Sequence, residues 1–193
     1  MKTIHYILAV AVIAVVAVSA YLLATREIHE HADFSVFING QQINFSADKY
    51  MHHESTEEER NETHGIENED KAHMHDLVGW IAHKHAADAT WELFFRNINI
   101  TFNSTCFVFD SQDYCNNETH KVRMFINGKE NFEFGDAKIN DLDRVLISYD
   151  KAGANVSSYM TAVTDEACLY SRRCPERGEA GSEGCVTGGK QCT

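Results

Sequence analysis

The chain has 193 residues and a formal net charge of −12, with 29 acidic against 17 basic side chains. An acidic balance without a cluster of Lys and Arg argues against a nucleic-acid-binding surface, because phosphate binding needs clustered basic residues. Once the two ends are set aside, the length allows one small domain with its own core.

The first predicted element is an apolar helix at the N-terminus. Residues 4–24 form a near-continuous apolar run of the length that a membrane-spanning helix needs. Lys2 precedes the run, so the positive-inside rule keeps the N-terminus cytoplasmic and places the rest outside. A cleaved signal peptide is the alternative, because residues 18–20 fit a small-residue cleavage pattern. We expect a single-pass cell-membrane protein, with residues 1–25 as transmembrane anchor or uncleaved signal and the membrane as its partner.

Two hairpins are predicted in the next part of the chain. Residues 32–38 alternate apolar and polar and lead into Asn39-Gly40, and the same dipeptide returns at Asn127-Gly128. Asn-Gly between two alternating runs is the strongest short-range signal for a hairpin. Residues 99–109 and 141–149 are also predicted as strands.

One amphipathic helix is predicted between the hairpins. Apolar residues recur at the i, i+3, i+4, i+7 spacing of a helix that buries one face, with Asp88 or Thr90 as the N-cap. These residues are Trp91, Phe94, Phe95 and Ile98. Strands packed on one helix define an α+β domain with a mostly antiparallel or mixed sheet, which is compatible with a β-grasp-like arrangement.

Composition divides the chain after its N-terminus into two parts. Residues 26–150 are predicted as an extracytoplasmic α+β domain, interrupted at 51–72 by a Glu-rich mobile loop whose histidines are interpreted as part of a solvated charge run. Residues 151–193 are a Cys-rich tail with little apolar content, so we expect disulfides to hold it.

Cysteines and glycosylation sequons favour an exported protein. Six cysteines are expected to form disulfides, with a local Cys106–Cys115 bridge among them, while a four-cysteine zinc site in the tail is the alternative. The cysteines are Cys106, Cys115, Cys168, Cys174, Cys185 and Cys192. An excess of Asn-x-Ser/Thr sequons suggests glycosylation, least so at Asn103 inside a predicted strand. The sequon residues are Asn44, Asn61, Asn99, Asn103, Asn117 and Asn155.

Three His-x-His pairs are the strongest functional signal. Side chains two residues apart on a strand point to the same face, so each pair presents two imidazoles together. The predicted metal ligands are His29, His31, His73, His75, His83 and His85. Imidazole without thiolate fits Zn, Cu or Ni, with Zn or Cu as the expected cofactor, and binding should weaken below about pH 6.

The two C-terminal pairs are predicted to face each other across a short hairpin over residues 73–85. Symmetric placement around its connection pairs His73 with His85 and His75 with His83. The first pair must reach the same rim of the sheet to join them. Asp33, Asp76 and His120 are candidate further ligands or hydrogen-bond acceptors for the ligand rings.

No catalytic motif accompanies these histidines. The His-Glu-x-x-His zinc motif, nucleophile motifs and phosphate-binding loops do not occur, and cysteines engaged in disulfides supply no thiolate. We predict metal capture, delivery or structural stabilisation. A glycosylated surface protein for interaction or adhesion without metal is the first alternative, and a metal-dependent hydrolase is the second.

Four stretches carry a resemblance to a protein group. They are "HEHADFSVFINGQQINFSADKY", "HMHDLVGWIAHKHA", "DLDRVLISYD" and "CPERG". They resemble exported, membrane-anchored proteins of archaea and environmental bacteria with a Cys-rich C-terminal tail and no assigned activity. The resemblance covers about residues 29–192 and implies export and a recurring His-x-His pattern. It implies no mechanism and assigns no functional residue.

Overall fold

A seven-stranded mixed sheet organises the fold in this computed structural model, which describes residues 5, 12–18, 28–52, 71–181, 186–187 and 190–191. The strands are β1 (Glu30–Ile38), β2 (Gln41–Gln42), β3 (Ala72–His73), β4 (Ile81–Lys84), β5 (Thr101–Phe102), β6 (Cys106–Phe109), β7 (Gln112–Cys115), β8 (His120–Ile126), β9 (Lys129–Asn131), β10 (Arg144–Lys151), β11 (Val186–Thr187) and β12 (Lys190–Gln191). The helices are α1 (Trp91–Asn97), α2 (Ser157–Ala162) and α3 (Ala167–Tyr170).

The order along the main sheet is β3-β4-β1-β10-β8-β9, and β2 pairs with β1. β1 and β10 run parallel, with Phe34 opposite Val145, and the other pairs in this sheet are antiparallel. β5, β6 and β7 form a separate antiparallel sheet. The α+β class and the mixed sheet that we predicted are therefore confirmed.

Both Asn-Gly hairpins are confirmed. Ile38 pairs with Gln41 and Ile126 pairs with Lys129, each across a two-residue turn. All four turn residues have positive φ, at 50° and 83° in the first turn and 51° and 79° in the second. This is the turn geometry that Asn-Gly adopts most easily, and it matches the twist of the flanking strands.

Helix α1 buries the predicted aromatic stripe. The Thr90 side chain caps the helix by accepting from the backbone N–H of Leu93 at 3.3 Å. Trp91, Phe94 and Phe95 have no solvent exposure, and they pack on Phe34 of β1. The core of the domain lies between this helix and one face of the sheet.

The opposite face of the sheet is covered by the segment that contains α2 and α3. Val156 and Val163 pack on Phe37 and Leu146 in a second, smaller core. The Arg144 side chain donates to the backbone carbonyls at residues 163 and 164. Residues 156–171 are therefore held against β1 and β10, next to the His-x-His end of β1.

The predicted strand over residues 99–109 is interrupted by a turn. The Asn103 side-chain oxygen accepts from the backbone N–H groups of Thr105 and Cys106, which separates β5 from β6. Asn103 is thus an exposed turn residue, contrary to our expectation of a strand position. The sequon residues Asn44, Asn99, Asn117 and Asn155 are exposed as well, Asn61 lies outside the described residues, and glycosylation stays a prediction.

Two disulfides are present in the described residues, Cys106–Cys115 and Cys168–Cys174. The first joins β6 to β7 and confirms the predicted local bridge. The second closes a short loop in the C-terminal segment, so the alternative of a four-cysteine zinc site does not apply. Cys185 and Cys192 lie outside the described residues.

The N-terminal expectation is corrected by the structure. Within the described residues no helix is both long and apolar enough to cross a bilayer. Of the run over residues 4–24, the structure describes residues 5 and 12–18. The predicted N-terminal transmembrane helix is therefore wrong. The membrane partner and the single-pass localisation with a cytoplasmic N-terminus, which depended on it, are wrong as well.

Two further predictions are not tested. The acidic loop over 51–72 falls almost wholly outside the described residues, which stop at 52 and resume at 71. The boundaries at 26–150 and 151–193 stay predictions.

Candidate metal centre

Three neighbouring strands bring the predicted histidines together. β4 lies between β1 and β3, and His83 is the register partner of both His31 on β1 and His73 on β3. Residues two positions away along each chain point to the same side. The His-x-His end of β1 thus reaches the hairpin, as a common site requires.

The predicted register of the β3–β4 hairpin is wrong by two residues. His73 pairs with His83 instead of His85, and the predicted pairing of His75 with His83 does not occur. Because the shift is an even number of residues, the same side chains stay on the same face. All four rings of the hairpin still belong to one cluster.

The six imidazoles form a closed ring of contacts. The distances between neighbouring ring centroids are His29–His31 4.5 Å, His31–His83 4.6 Å, His83–His75 3.9 Å, His75–His73 5.8 Å, His73–His85 4.9 Å and His85–His29 5.0 Å. His52, which we interpreted as part of a solvated loop, stacks on His73 at 4.7 Å and adds a seventh ring.

A group of three histidines within this ring has the spacing of metal ligands. One ring nitrogen each of His29, His31 and His83 lies within 4.8 Å of the other two. His31 and His83 have no solvent exposure, and His29 is partly buried. An ion bound by all three nitrogens would require bonds of ~2.0–2.1 Å, which the rings reach by turning towards one another. This trio could hold a metal ion.

A hydrogen-bond chain orients His31. Its Nδ1 lies 2.9 Å from Ser171 Oγ, and the Ser171 hydroxyl donates to the Asp141 carboxylate. Because the hydroxyl proton goes to the carboxylate, the serine oxygen is the acceptor for His31, and Nδ1 of His31 carries the ring proton. The lone pair that a metal needs is then on Nε2, which is buried inside the cluster.

A second chain orients His83. The Asp76 carboxylate lies 2.7 Å from His75 Nδ1, and His75 Nε2 lies 3.1 Å from His83 Nδ1. The carboxylate fixes the proton on His75 Nδ1, so His75 Nε2 accepts the N–H of His83. The lone pair of His83 is thereby left on Nε2, a buried atom with no hydrogen-bond partner in the described part of the chain.

Burial and mutual repulsion keep these rings neutral. Desolvation, followed by the nearby histidines, lowers the pKa of His31 to about 2 and that of His85 to about 3. The same causes lower the pKa of His83 well below its ordinary value. Neutral imidazole is the form that binds metal, so His31 and His83 need no deprotonation at neutral pH.

The segment around α3 closes the cluster from one side. The Tyr170 ring centroid lies 5.7 Å from that of His31 and 5.8 Å from that of His83. Helix α3 also carries Cys168, whose disulfide to Cys174 encloses both Tyr170 and Ser171. The C-terminal segment thus supplies part of the wall as well as the hydrogen bond to His31.

Asp33 anchors this segment through hydrogen bonds to one of its hydroxyl groups and to its backbone. Its carboxylate accepts from the Thr164 hydroxyl at 2.5 Å and from the backbone N–H groups of Glu166 and Ala167 at 2.8 and 3.0 Å. Desolvation raises its pKa, while these hydrogen bonds oppose the shift. Asp33 therefore acts on the site through the position of α3.

The other two candidate partners have opposite outcomes. The Asp76 carboxylate accepts a hydrogen bond from His75, one of the six histidines predicted as ligands, as expected of a hydrogen-bond acceptor. His120 lies at the far end of β8, where it stacks on Tyr149 and contacts Thr119. The structure does not bring His120 to the cluster.

Four residues at the site were missed from the sequence, namely His52, Asp141, Tyr170 and Ser171. Asp141 reaches His31 because β10 runs parallel to β1 and begins beside it, with the Leu142 N–H donating to the His31 carbonyl at 2.7 Å. A lone Asp ahead of a strand and a Tyr-Ser in a Cys-rich segment carry no local signal for such a contact.

Comparisons with protein-family models, with curated proteins and with solved structures found no match. The fold and the histidine cluster therefore define the protein only as an α+β domain with a candidate metal centre.

Proposed function

We propose that this domain binds one transition-metal ion, Zn(II) or Cu in the first place, through His29, His31 and His83. The observation that carries the proposal is the convergence of these three ring nitrogens, each within 4.8 Å of the others. Both carboxylate-ended chains support it, because they turn the lone pairs of His31 and His83 inward. The donor set contains only imidazole, which favours Zn, Cu or Ni over Ca or Mg.

Binding would join parts of the fold that are distant in sequence. His29 and His31 lie at the start of β1, and His83 lies on β4. An ion that binds only the folded chain at a hundredfold excess over its Kd adds about 2.7 kcal/mol of stability. The ion is therefore expected to stabilise the domain whether its purpose is structural or is metal capture and delivery.

The test is a stoichiometry measurement on the full chain. Protein freed of metal with a chelator is dialysed against Zn(II), Cu(II) or Ni(II), and bound metal is counted by mass spectrometry. We expect at least one equivalent in the wild type and loss of the tightest-bound ion in His31→Asn and His83→Asn. His120→Asn is the matched control, since it removes a histidine outside the cluster. Less than about 0.2 equivalents in the wild type would reject the proposal, because such sites bind tightly.

The rate at which an excess of chelator removes the metal then distinguishes a structural role of the ion from metal capture or delivery. A structural ion leaves only as fast as the domain opens, so its loss should follow the unfolding rate. An ion for capture or delivery leaves the folded domain faster than that. X-ray absorption should show nitrogen or oxygen neighbours at ~2.0–2.1 Å for a zinc-bound sample.

A further inference from the structure

A second set of histidines lies beside the trio. His52 stacks on His73 with ring centroids 4.7 Å apart and an interplanar angle of 18°. His73 in turn stacks on His85 at 4.9 Å and 27°. His85 joins this set to the trio through its contact with His29 at 5.0 Å.

This second set is positioned by the fold. The backbone N–H of His52 donates to the carbonyl of Met74 at 2.7 Å, which lays residue 52 alongside β3. Met74 is fully buried. His85 is fixed in the same way, since its backbone N–H donates to the Lys71 carbonyl at 2.9 Å. His73 and His85 are 5% and 8% exposed.

His75 belongs to neither ligand set. Both of its ring nitrogens are engaged, Nδ1 with Asp76 and Nε2 with His83. It orients His83 and is in this sense a positioning residue. The cluster holds six other histidine rings, more than the three or four protein ligands that a transition-metal ion held by imidazole usually takes.

The geometry points to a two-ion centre, in which a second transition-metal ion binds to His52, His73 and His85 next to the ion of the trio. This inference rests on the proposed function. The chemistry of the second subsite is the same, because its ligands are again imidazole nitrogens without thiolate. Within the described residues only the trio brings its nitrogens within 4.8 Å of one another, so the rings of the second set must turn further and this subsite fills second.

Charge sets a condition on such a centre. Two dications side by side repel each other, and imidazole ligands bring no negative charge to offset this repulsion. The carboxylates of Asp76 and Asp141, at the ends of the two hydrogen-bond chains, offset part of this charge. A hydroxide or water shared between the ions is the usual further compensation in two-metal sites, where the ions are ~3.5–4 Å apart.

The test is a titration of the metal-free full chain with Cu(II) or Zn(II) alone. We expect two sequential equivalents in the wild type and one in His52→Asn and in His73→Asn, with His120→Asn retaining two. His52 is the safer position to change because it is only partly buried. Circular dichroism checks that each variant keeps its fold.

The outcomes separate this inference from the proposed function. One equivalent in the wild type, unchanged in His52→Asn, overturns the second subsite and leaves the trio intact. Two equivalents that persist in both His52→Asn and His73→Asn also overturn it, because the second ion then binds elsewhere. No binding overturns both proposals. In wild-type protein loaded with two Cu(II) ions ~3.5–4 Å apart, magnetic coupling should reduce the electron paramagnetic resonance signal. Two independent Cu(II) signals of full intensity would contradict a two-ion centre.

Discussion

Replacing Ser171 with Ala tests the chain that orients the trio. The hydroxyl links the Asp141 carboxylate to His31 Nδ1 at 2.9 Å. Without it, the ring loses the acceptor that fixes the proton on Nδ1, and Nε2 is no longer held in its metal-binding form. Removing such a partner of a metal-bound histidine costs about 10–100-fold in affinity, or about 1.4–2.7 kcal/mol.

The assay is competition for Zn(II) between the full chain and a chromophoric chelator near neutral pH. Asp141→Asn should cost less than Ser171→Ala, because the amide oxygen can still accept from the serine hydroxyl. Ser158→Ala, at an exposed position of α2, is the matched control and should bind as the wild type does. If folded Ser171→Ala binds zinc within about twofold of the wild type, this chain does not set the tautomer and the argument fails.

Three further predictions concern the stability of the metal-free protein, measured by urea unfolding. Because burial lowers the pKa values of His31 and His85 in the folded state, the unfolded state binds more protons below the ordinary histidine pKa, and the free energy of unfolding decreases as the pH is lowered. Each of these two rings should lower the free energy of unfolding by about 1.4 kcal/mol per pH unit below about pH 6.5. A free energy of unfolding that does not change from pH 7 to pH 5 would contradict the argument from burial. Asp33→Ala should destabilise by about 3 kcal/mol, since it leaves buried donors of the α3 segment without an acceptor, while Asp33→Asn should lose less. Gly79→Ala should destabilise the domain by about 1–3 kcal/mol or more, because the added Cβ would lie 2.3 Å from the backbone of Phe45. If the variant is as stable as the wild type, the hairpin moves freely enough to avoid this clash.

Local chemistry explains which parts of the fold were predictable. The Asn39-Gly40 and Asn127-Gly128 turns require the left-handed backbone that those residues adopt readily, so each hairpin follows from its two turn residues between alternating strands. The aromatic stripe of α1 needs one apolar surface to cover, and Phe34 of β1 provides it. The N-terminal run failed as a predictor, since within the described residues no helix is long and apolar enough to cross a bilayer.

The shared face of the histidines was predictable, but their register was not. Alternation on a strand depends only on parity, so a two-residue slip of His73 from His85 to His83 leaves the face unchanged. The register itself depends on contacts outside the hairpin. The approach of Asp141 and Ser171 depends on the parallel pairing of β1 with β10, which joins residues more than a hundred positions apart and leaves no trace in any short stretch.

The lowered pKa values also change how acid should act on the centre. From ordinary histidine we expected binding to weaken below about pH 6. In the folded domain, burial lowers the pKa of His31 to about 2 and that of His85 to about 3, so at pH 5.5 these two rings are still neutral. The unfolded chain, in contrast, gains protons there, which costs about 3 kcal/mol for these two rings together. That is close to the ~2.7 kcal/mol that an ion supplies at a hundredfold excess over its Kd. Mild acid should therefore release metal by unfolding the domain, because protons stabilise the unfolded chain while metal stabilises the folded one, and not by protonating His31 or His83 in the folded domain.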